Sequence, residues 1–331
     1  MKSIKKCLEA AHTIYIACHI VPDGDAIGSM LGLGLALRKL GKTCSMACAD
    51  PLPGKFDFLA GVQEVVSHPP VAEQVIVTVD VSDIERLGSL YDAAVFRSRP
   101  VINIDHHITN THFGMLNLVH FLPSTAEVVY ALLRRLHAPL DKDIATALLV
   151  GLVTDTRCYR TDNVTARQLR TTIALMKAGA SLADITELVF NREPVSTICL
   201  WGQALASVRR RGRIMWTEIN HAMLRKCKAS SNEGDGLVSF LASAQDMDAA
   251  IVFREKDDGS IEVSMRAGPD LDLSRVALKL GGGGHPRAAG CTLAGPMSTA
   301  RERVLSEVEK ALNEQARLGS TGYSIQDESQ A

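Results

Sequence analysis

Thr13-Ile14-Tyr15-Ile16-Ala17-Cys18-His19-Ile20-Val21-Pro22-Asp23-Gly24-Asp25-Ala26-Ile27-Gly28-Ser29 changes character twice within one short stretch. Thr13–Cys18 is an unbroken β-branched and apolar run, the pattern of a strand covered on both faces. It stops at His19 and a polar turn through Pro22, Asp23, Gly24 and Asp25, and from Ala26 to Leu40 apolar residues return at helical spacing. A strand, a turn and a helix in that order form the first half of a βαβ unit. Thr43–Ala49, Val75–Val79 and Val101–Ile104 are further apolar runs of strand length. Ser124–His137, Asp141–Val153 and Thr165–Ala178 carry helical patterns, the last closed by Gly179. The expected fold is α/β, a doubly wound parallel sheet.

A second region starts near Arg211. Arg213–Ile219 reads as a strand and Gly236–Ala244 as a short helix. Ala249–Arg254 and Ser260–Arg266 flank Asp257-Asp258-Gly259, a hairpin signal. A helix over Leu273–Leu280, the run Gly281–Gly290 and a helix near Thr299–Leu318 complete it. The expected division is a first domain over 1–190, a helical connector over 191–210, a smaller α/β domain over 211–318 and a disordered tail over 319–331.

The chain has 331 residues, 46% hydrophobic and 22% charged, with a formal net charge of −1. That balance argues against a long nucleic-acid duplex as partner, because such binders carry a basic footprint. The eight cysteines form no CxxC pair, so neither a disulfide framework nor a thiolate zinc site is expected, and a reducing compartment fits. Lys2, Lys5 and Lys6 precede an apolar stretch, but Glu9 and His12 interrupt it. With no long apolar window, a cytoplasmic location and no membrane partner are expected.

The polar residues that end the apolar runs carry the chemistry. His19, Asp23 and Asp25 follow the first strand, Asp80 the third, and Asp105-His106-His107 the fourth. Thr154-Asp155-Thr156 closes an apolar helix. In open α/β sheets, ligands bind at the carboxyl ends of the strands, so these segments converge. Crowded carboxylates repel one another, and a pair of divalent cations relieves that. Oxygen ligands with some imidazole and no thiolate suit Mn²⁺ or Mg²⁺. Asp83 reads as a helix cap. His12, His68, His112, His120 and His137 read as ordinary surface or core histidines.

His19-x3-Asp23-Gly24-Asp25-x2-Gly28-Ser29, Asp80, Asp105-His106-His107 and Thr154-Asp155-Thr156 resemble the four motifs of the DHH phosphoesterase superfamily. Gly281-Gly282-Gly283-Gly284-His285-Pro286-Arg287-Ala288-Ala289-Gly290, with Arg266 upstream, resembles its DHHA1 substrate-binding domain. The nearest subgroup is the stand-alone type that degrades short oligoribonucleotides and dephosphorylates adenosine 3′,5′-bisphosphate (pAp). The resemblance implies two divalent metal ions, Mn²⁺ foremost and Mg²⁺ or Co²⁺ as alternatives. His19 and Asp23 would hold one, Asp25, His106 and Asp155 the other, and Asp80 both. His107 would face the scissile phosphate as proton donor or charge stabiliser, and Asp105 would orient the histidines. Arg157 stands where many relatives carry glycine. The substrate would be a short oligonucleotide or nucleoside bisphosphate, and the resemblance is compatible with a homodimer.

The second domain can be read physically too. Consecutive glycines let backbone N–H groups approach an anion, so Gly283 and Gly284 with His285 and Arg287 could hold a phosphate or base, with Arg266 nearby. Arg209, Arg210, Arg211 and Arg213 read as a solvated edge. Three alternatives stay open: a cyclic or linear dinucleotide phosphodiesterase, a manganese pyrophosphatase, and a regulatory nucleotide-binding module with a relic site.

Overall fold

The computed structural model describes residues 1–230, 233–234, 236–268 and 271–320, in two compact units that meet at Arg192 and Glu193. The first unit runs α1 (Lys2–Ala10), β1 (Thr13–Ala17), α2 (Gly24–Lys39), β2 (Thr43–Ala47), β3 (Val75–Val79) and α3 (Ala93–Ser98). It continues with β4 (Val101–Asp105), β5 (Leu116–Val119), α4 (Thr125–Leu136), α5 (Lys142–Asp155), α6 (Ala166–Lys177) and α7 (Leu182–Phe190). The five strands are parallel in the order β2-β1-β3-β4-β5. β1 explains why the apolar run is unbroken. Ile14 and Ile16 enter the core under α2, α4 and α5, while Tyr15 and Ala17 enter a second core with Ile76, Leu87 and Phe96 on the opposite face.

The order reverses direction between β1 and β3, the switch point where such sheets open a crevice at their carboxyl edge. α2 and α5 pack on one face of the sheet in main-chain contact, the start of α2 and the end of α5 reaching the crevice. A Cβ on Gly28 would stand 2.3 Å from the Ala147 carbonyl oxygen and 2.8 Å from the Gly151 nitrogen, so only glycine admits the crossing. The N-terminus is part of the fold: Ile4 and Leu8 of α1 are buried in the main core.

The second unit comprises α8 (Val195–Ala206), β6 (Arg209–Arg211), β7 (Ile214–Ile219), α9 (His221–Cys227), α10 (Leu237–Leu241), β8 (Ala249–Glu255), β9 (Ser260–Ala267), α11 (Leu273–Lys279), β10 (Gly283–His285), β11 (Ala288–Ala294) and α12 (Met297–Ser320). Its mixed sheet has the order β10-β11-β9-β8-β7-β6. Residues 191–210, expected as a connector, contain α8, whose Leu200 and Ala204 share a core with Ile219, Leu224 and Val252. The α/β expectation holds for both units. The tail expected from Gly319 differs at its start, where Gly319 and Ser320 continue α12; residues 321–331 lie outside the described residues.

One expectation is overturned. Cys199 of α8 and Cys227 of α9 form a disulfide, with Cα atoms 5.5 Å apart. The packing of α8 on α9 brings together two cysteines 28 residues apart, a pairing that spacing along the chain does not announce. Among the described residues no helix is long and apolar enough to cross a membrane.

Candidate active site

Each polar segment is delivered to the crevice by a different element. His19 lies two residues beyond β1 and is almost fully buried. Its Nδ1 lies 2.6 Å from the Ile20 carbonyl oxygen, which directs Nε2 toward Asp80 Oδ2 at 3.5 Å and Asp23 Oδ1 at 3.9 Å. Asp23 is the N-cap of α2 and accepts from the Asp25 and Ala26 N–H groups. Within the first turn, Asp25 is 1% exposed; both its oxygens accept from the first amides of α4, Oδ2 from Thr125 at 2.6 Å and Oδ1 from Ala126 at 2.9 Å.

Asp80 follows β3 with a left-handed φ of 60°, uncommon outside glycine, and its carboxylate faces His19 and His106. Its Oδ1 accepts from the Thr125 hydroxyl at 2.8 Å and lies 3.6 Å from both His106 Nε2 and His107 Nδ1. His106 repeats the arrangement at His19. Its Nδ1 lies 2.9 Å from the Leu122 carbonyl oxygen, and its Nε2 points to Asp80 and, at 3.4 Å, to Asp155 at the end of α5. His107 is different: its Nδ1 is 2.8 Å from Asp105 Oδ1, and Asp105 Oδ2 accepts from Asn110. Asp83 accepts from the Glu85 N–H, a capping contact.

Three trios have potential ligand atoms within 4.8 Å of one another: His19, Asp23 and Asp80; Asp25, His106 and Asp155; Asp80, His106 and His107. The imidazole-to-carboxylate gaps of 3.4–3.9 Å in the first two are too long for hydrogen bonds. They are near the ligand-to-ligand spacing of roughly 3–3.5 Å around a small divalent cation bound at about 2.1 Å. Carbonyl groups fix both Nε2 atoms inward, the tautomer a metal ligand requires. The donor set therefore fits divalent cations.

The electrostatics show the same demand for positive charge. Burial alone would depress the His106 imidazolium, but the Asp80, Asp25 and Asp155 carboxylates outweigh it and push its pKa up to about 9. Burial, with Asp80 and Asp23 adding to it, pushes Asp155 up to about 7 against the opposing histidines. Burial and the same neighbours raise Asp25 well above the carboxylate range. Burial also opposes ionisation of Asp105, yet the hydrogen bond and charge of His107 hold its carboxyl below the usual value.

The sequence reading passed over several residues here. Thr125 and Asn110 hydrogen-bond the clustered carboxylates, as does Ser29 of the first motif, for which no role was read. A guanidinium nitrogen of Arg86 lies 3.3 Å from His19 Nδ1. None sits at a strand end in a run of charged residues, so only the N-cap signal of Ser124 hinted that a helix begins there. Arg157, Cys158 and Tyr159 are all left-handed, with φ of 47°, 57° and 62°. The arginine thus occupies a backbone conformation that glycine adopts without strain.

The second unit carries the other predicted residues. The glycine run is an edge strand and not a succession of free amides. β10 pairs with β11 through Gly283↔Gly290, Gly284↔Ala289 and His285↔Ala288, and a Cβ on Gly284 would meet the Ala288 carbonyl oxygen at 2.5 Å. Ala288 also pairs with Arg266, so Arg266, Ala288 and His285 line up across three strands on one face. Small residues continue that face through Ser264, Gly290 and Gly283, while Met265, Ala289 and Cys291 point into the core. Arg287 sits in the exposed turn joining the strands.

Topology and cluster together define a class, α/β proteins that gather carboxylates and imidazoles suited to divalent metals at the carboxyl edge of a parallel sheet. Residues 13–152 match the DHH family, N-terminal domain, and residues 220–314 match the DHHA1 domain. The chain is 36% identical over 322 residues to the bifunctional oligoribonuclease and PAP phosphatase NrnA of Thermus thermophilus, covering 94% of each protein. It is 24% identical to the cyclic-di-AMP phosphodiesterase PdeA of Listeria monocytogenes, covering 94% of this chain but 48% of that protein. An exopolyphosphatase-related protein from Bacteroides fragilis has the same fold, with a TM-score of 0.89 at 23% identity over 95% of this chain and 97% of the other. The chain belongs to the DHH/DHHA1 phosphoesterase family.

Proposed function

We propose that this phosphoesterase hydrolyses short oligoribonucleotides to mononucleotides and removes a phosphate from nucleoside bisphosphates such as pAp. The observation that carries the reading is the pair of trios at the sheet edge, with Asp80 between them. Two divalent cations, Mn²⁺ foremost, would supply Lewis acidity and an acidified water when bound. In this reading His19 and Asp23 hold one ion, Asp25, His106 and Asp155 the other, and Asp80 reaches both. His107 is spared from ligation because its Nδ1 is committed to Asp105, so its Nε2 carries a proton to the leaving oxygen. The Arg266, Ala288 and His285 face and Arg287 suit a phosphate or base of a short substrate, since small residues between the cationic ones leave room above the sheet.

The match along most of the Thermus enzyme's length favours this substrate class over the dinucleotide reading, whose relative is twice as long as the region matched. The test is release of phosphate and mononucleotide from pAp, a diribonucleotide, cyclic di-AMP and pyrophosphate, after chelation and after Mn²⁺ is restored. Turnover of the first two with Mn²⁺ alone is expected. Full activity in chelator, after verified metal removal, overturns the two-metal reading.

A further inference from the structure

We propose that Thr125, the first residue of α4, is the positioning residue that sets two buried carboxylates of the site, Asp25 and Asp80, against each other. The inference rests on the metal-dependent reading above. Asp25 and Asp80 come from α2 and the end of β3, and nothing in their sequence spacing fixes their relation. One residue touches both. The Thr125 hydroxyl donates to Asp80 Oδ1, its own N–H donates to Asp25 Oδ2, and the next amide, of Ala126, donates to Asp25 Oδ1.

These contacts decide orientation as well as proximity. With Oδ1 of Asp80 held by the hydroxyl on the side of His106, Oδ2 is turned toward His19, so the carboxylate presents one oxygen to each trio. Without that donor the carboxylate can rotate about its last torsion, whose energy profile is broad. The platform for Thr125 is itself anchored. Ser124 caps α4, and three residues on, the buried Glu127 accepts from Gln168 of α6 and pairs with Arg167 at 2.8 Å. Thr125 is fully buried, so its hydroxyl has no role toward solvent.

A threonine in the first turn of a helix could serve packing alone, and the variants separate the two roles. Thr125→Val keeps the shape and both amide contacts but removes the hydroxyl. Thr125→Ser keeps the hydroxyl and removes a methyl. The experiment is calorimetric titration of each purified full-length protein with Mn²⁺, alongside thermal unfolding with and without the ion. If Thr125 aims Asp80, Thr125→Val binds Mn²⁺ about 10- to 100-fold more weakly, the usual effect of losing a group that orients a ligand. Its metal-induced gain in Tm shrinks accordingly, and Thr125→Ser recovers most of both. Wild-type Mn²⁺ affinity in Thr125→Val, or equal losses in both variants, overturns the proposal and returns Thr125 to packing. Failure of the wild-type protein to bind Mn²⁺ would instead sink the metal reading on which the proposal rests, so the two failures are told apart.

Discussion

Replacing Asp105 by Asn removes one charge and almost no volume, yet the site cannot absorb it. The side chain is fully buried and receives two donors, His107 Nδ1 at one oxygen and Asn110 Nδ2 at the other. The Asn110 amide is not free to turn, because its own oxygen accepts from the His112 N–H at 2.7 Å. An asparagine at 105 offers one oxygen to two donors. Whichever way it flips, either His107 or Asn110 faces an N–H. The charge-assisted bond that steadies a protonated His107 is lost in both cases, worth about 1.5–3 kcal/mol, or roughly a 10- to 150-fold fall in kcat. The unsatisfied buried donor costs about 1–3 kcal/mol of folding stability in addition. The assay is turnover of pAp at saturating Mn²⁺, with denaturant unfolding of the same preparation. An Asp105→Asn enzyme within twofold of wild type in rate and unchanged in stability would refute the role given to the Asp105–His107 pair.

Asp80→Asn should abolish turnover and lower bound Mn²⁺ in elemental analysis, since one residue faces both trios; half the wild-type activity would show the assignment to be wrong. Metal binding must displace the proton that the carboxylates hold on His106, so apparent Mn²⁺ affinity should fall about tenfold for each pH unit below about 9. Protonation of Asp155 should steepen that fall below about 7, and a pH-independent affinity between 6 and roughly 9 would contradict it. Arg287→Ala should leave metal content intact and lower kcat/KM on pAp by roughly 10- to 150-fold, the worth of a charge-assisted phosphate contact. The loss should be smaller on bis-p-nitrophenyl phosphate, and equal losses on both substrates would mean that Arg287 acts through folding.

The parallel sheet was legible because its buried strands are short, mostly apolar and β-branched runs, and most of the clustered residues because they follow such runs. β5 was not legible: it is only four residues long and three of them are half-buried, as befits an edge strand. Thr125 escaped because its contacts to Asp25 and Asp80 span 100 and 45 residues, and a threonine after a serine cap says nothing about what its hydroxyl meets. The glycine run was read for its open amides, but its geometry is decided by the close approach of β11, which lies later in the chain. The Cys199–Cys227 bridge depends on helix packing, for which neither residue's neighbours give a sign.

The main-chain crossing of α2 and α5 works as a caliper. Asp25 rides on one jaw and Asp155 at the tip of the other, and the jaws touch through Gly28 and Gly151 with no side chain between them. Their opening is therefore gauged by the thickness of two peptide backbones, a dimension that repacking elsewhere in the core leaves alone. Exchanges among Leu, Ile and Val around the sheet can raise or lower stability without regauging the site. A single methyl at position 28 would press on the backbone of α5, and one at position 151 on Asp25 itself and on Ala126 of α4, making these two hydrogens the smallest parts of the protein on which the width of its reaction centre depends.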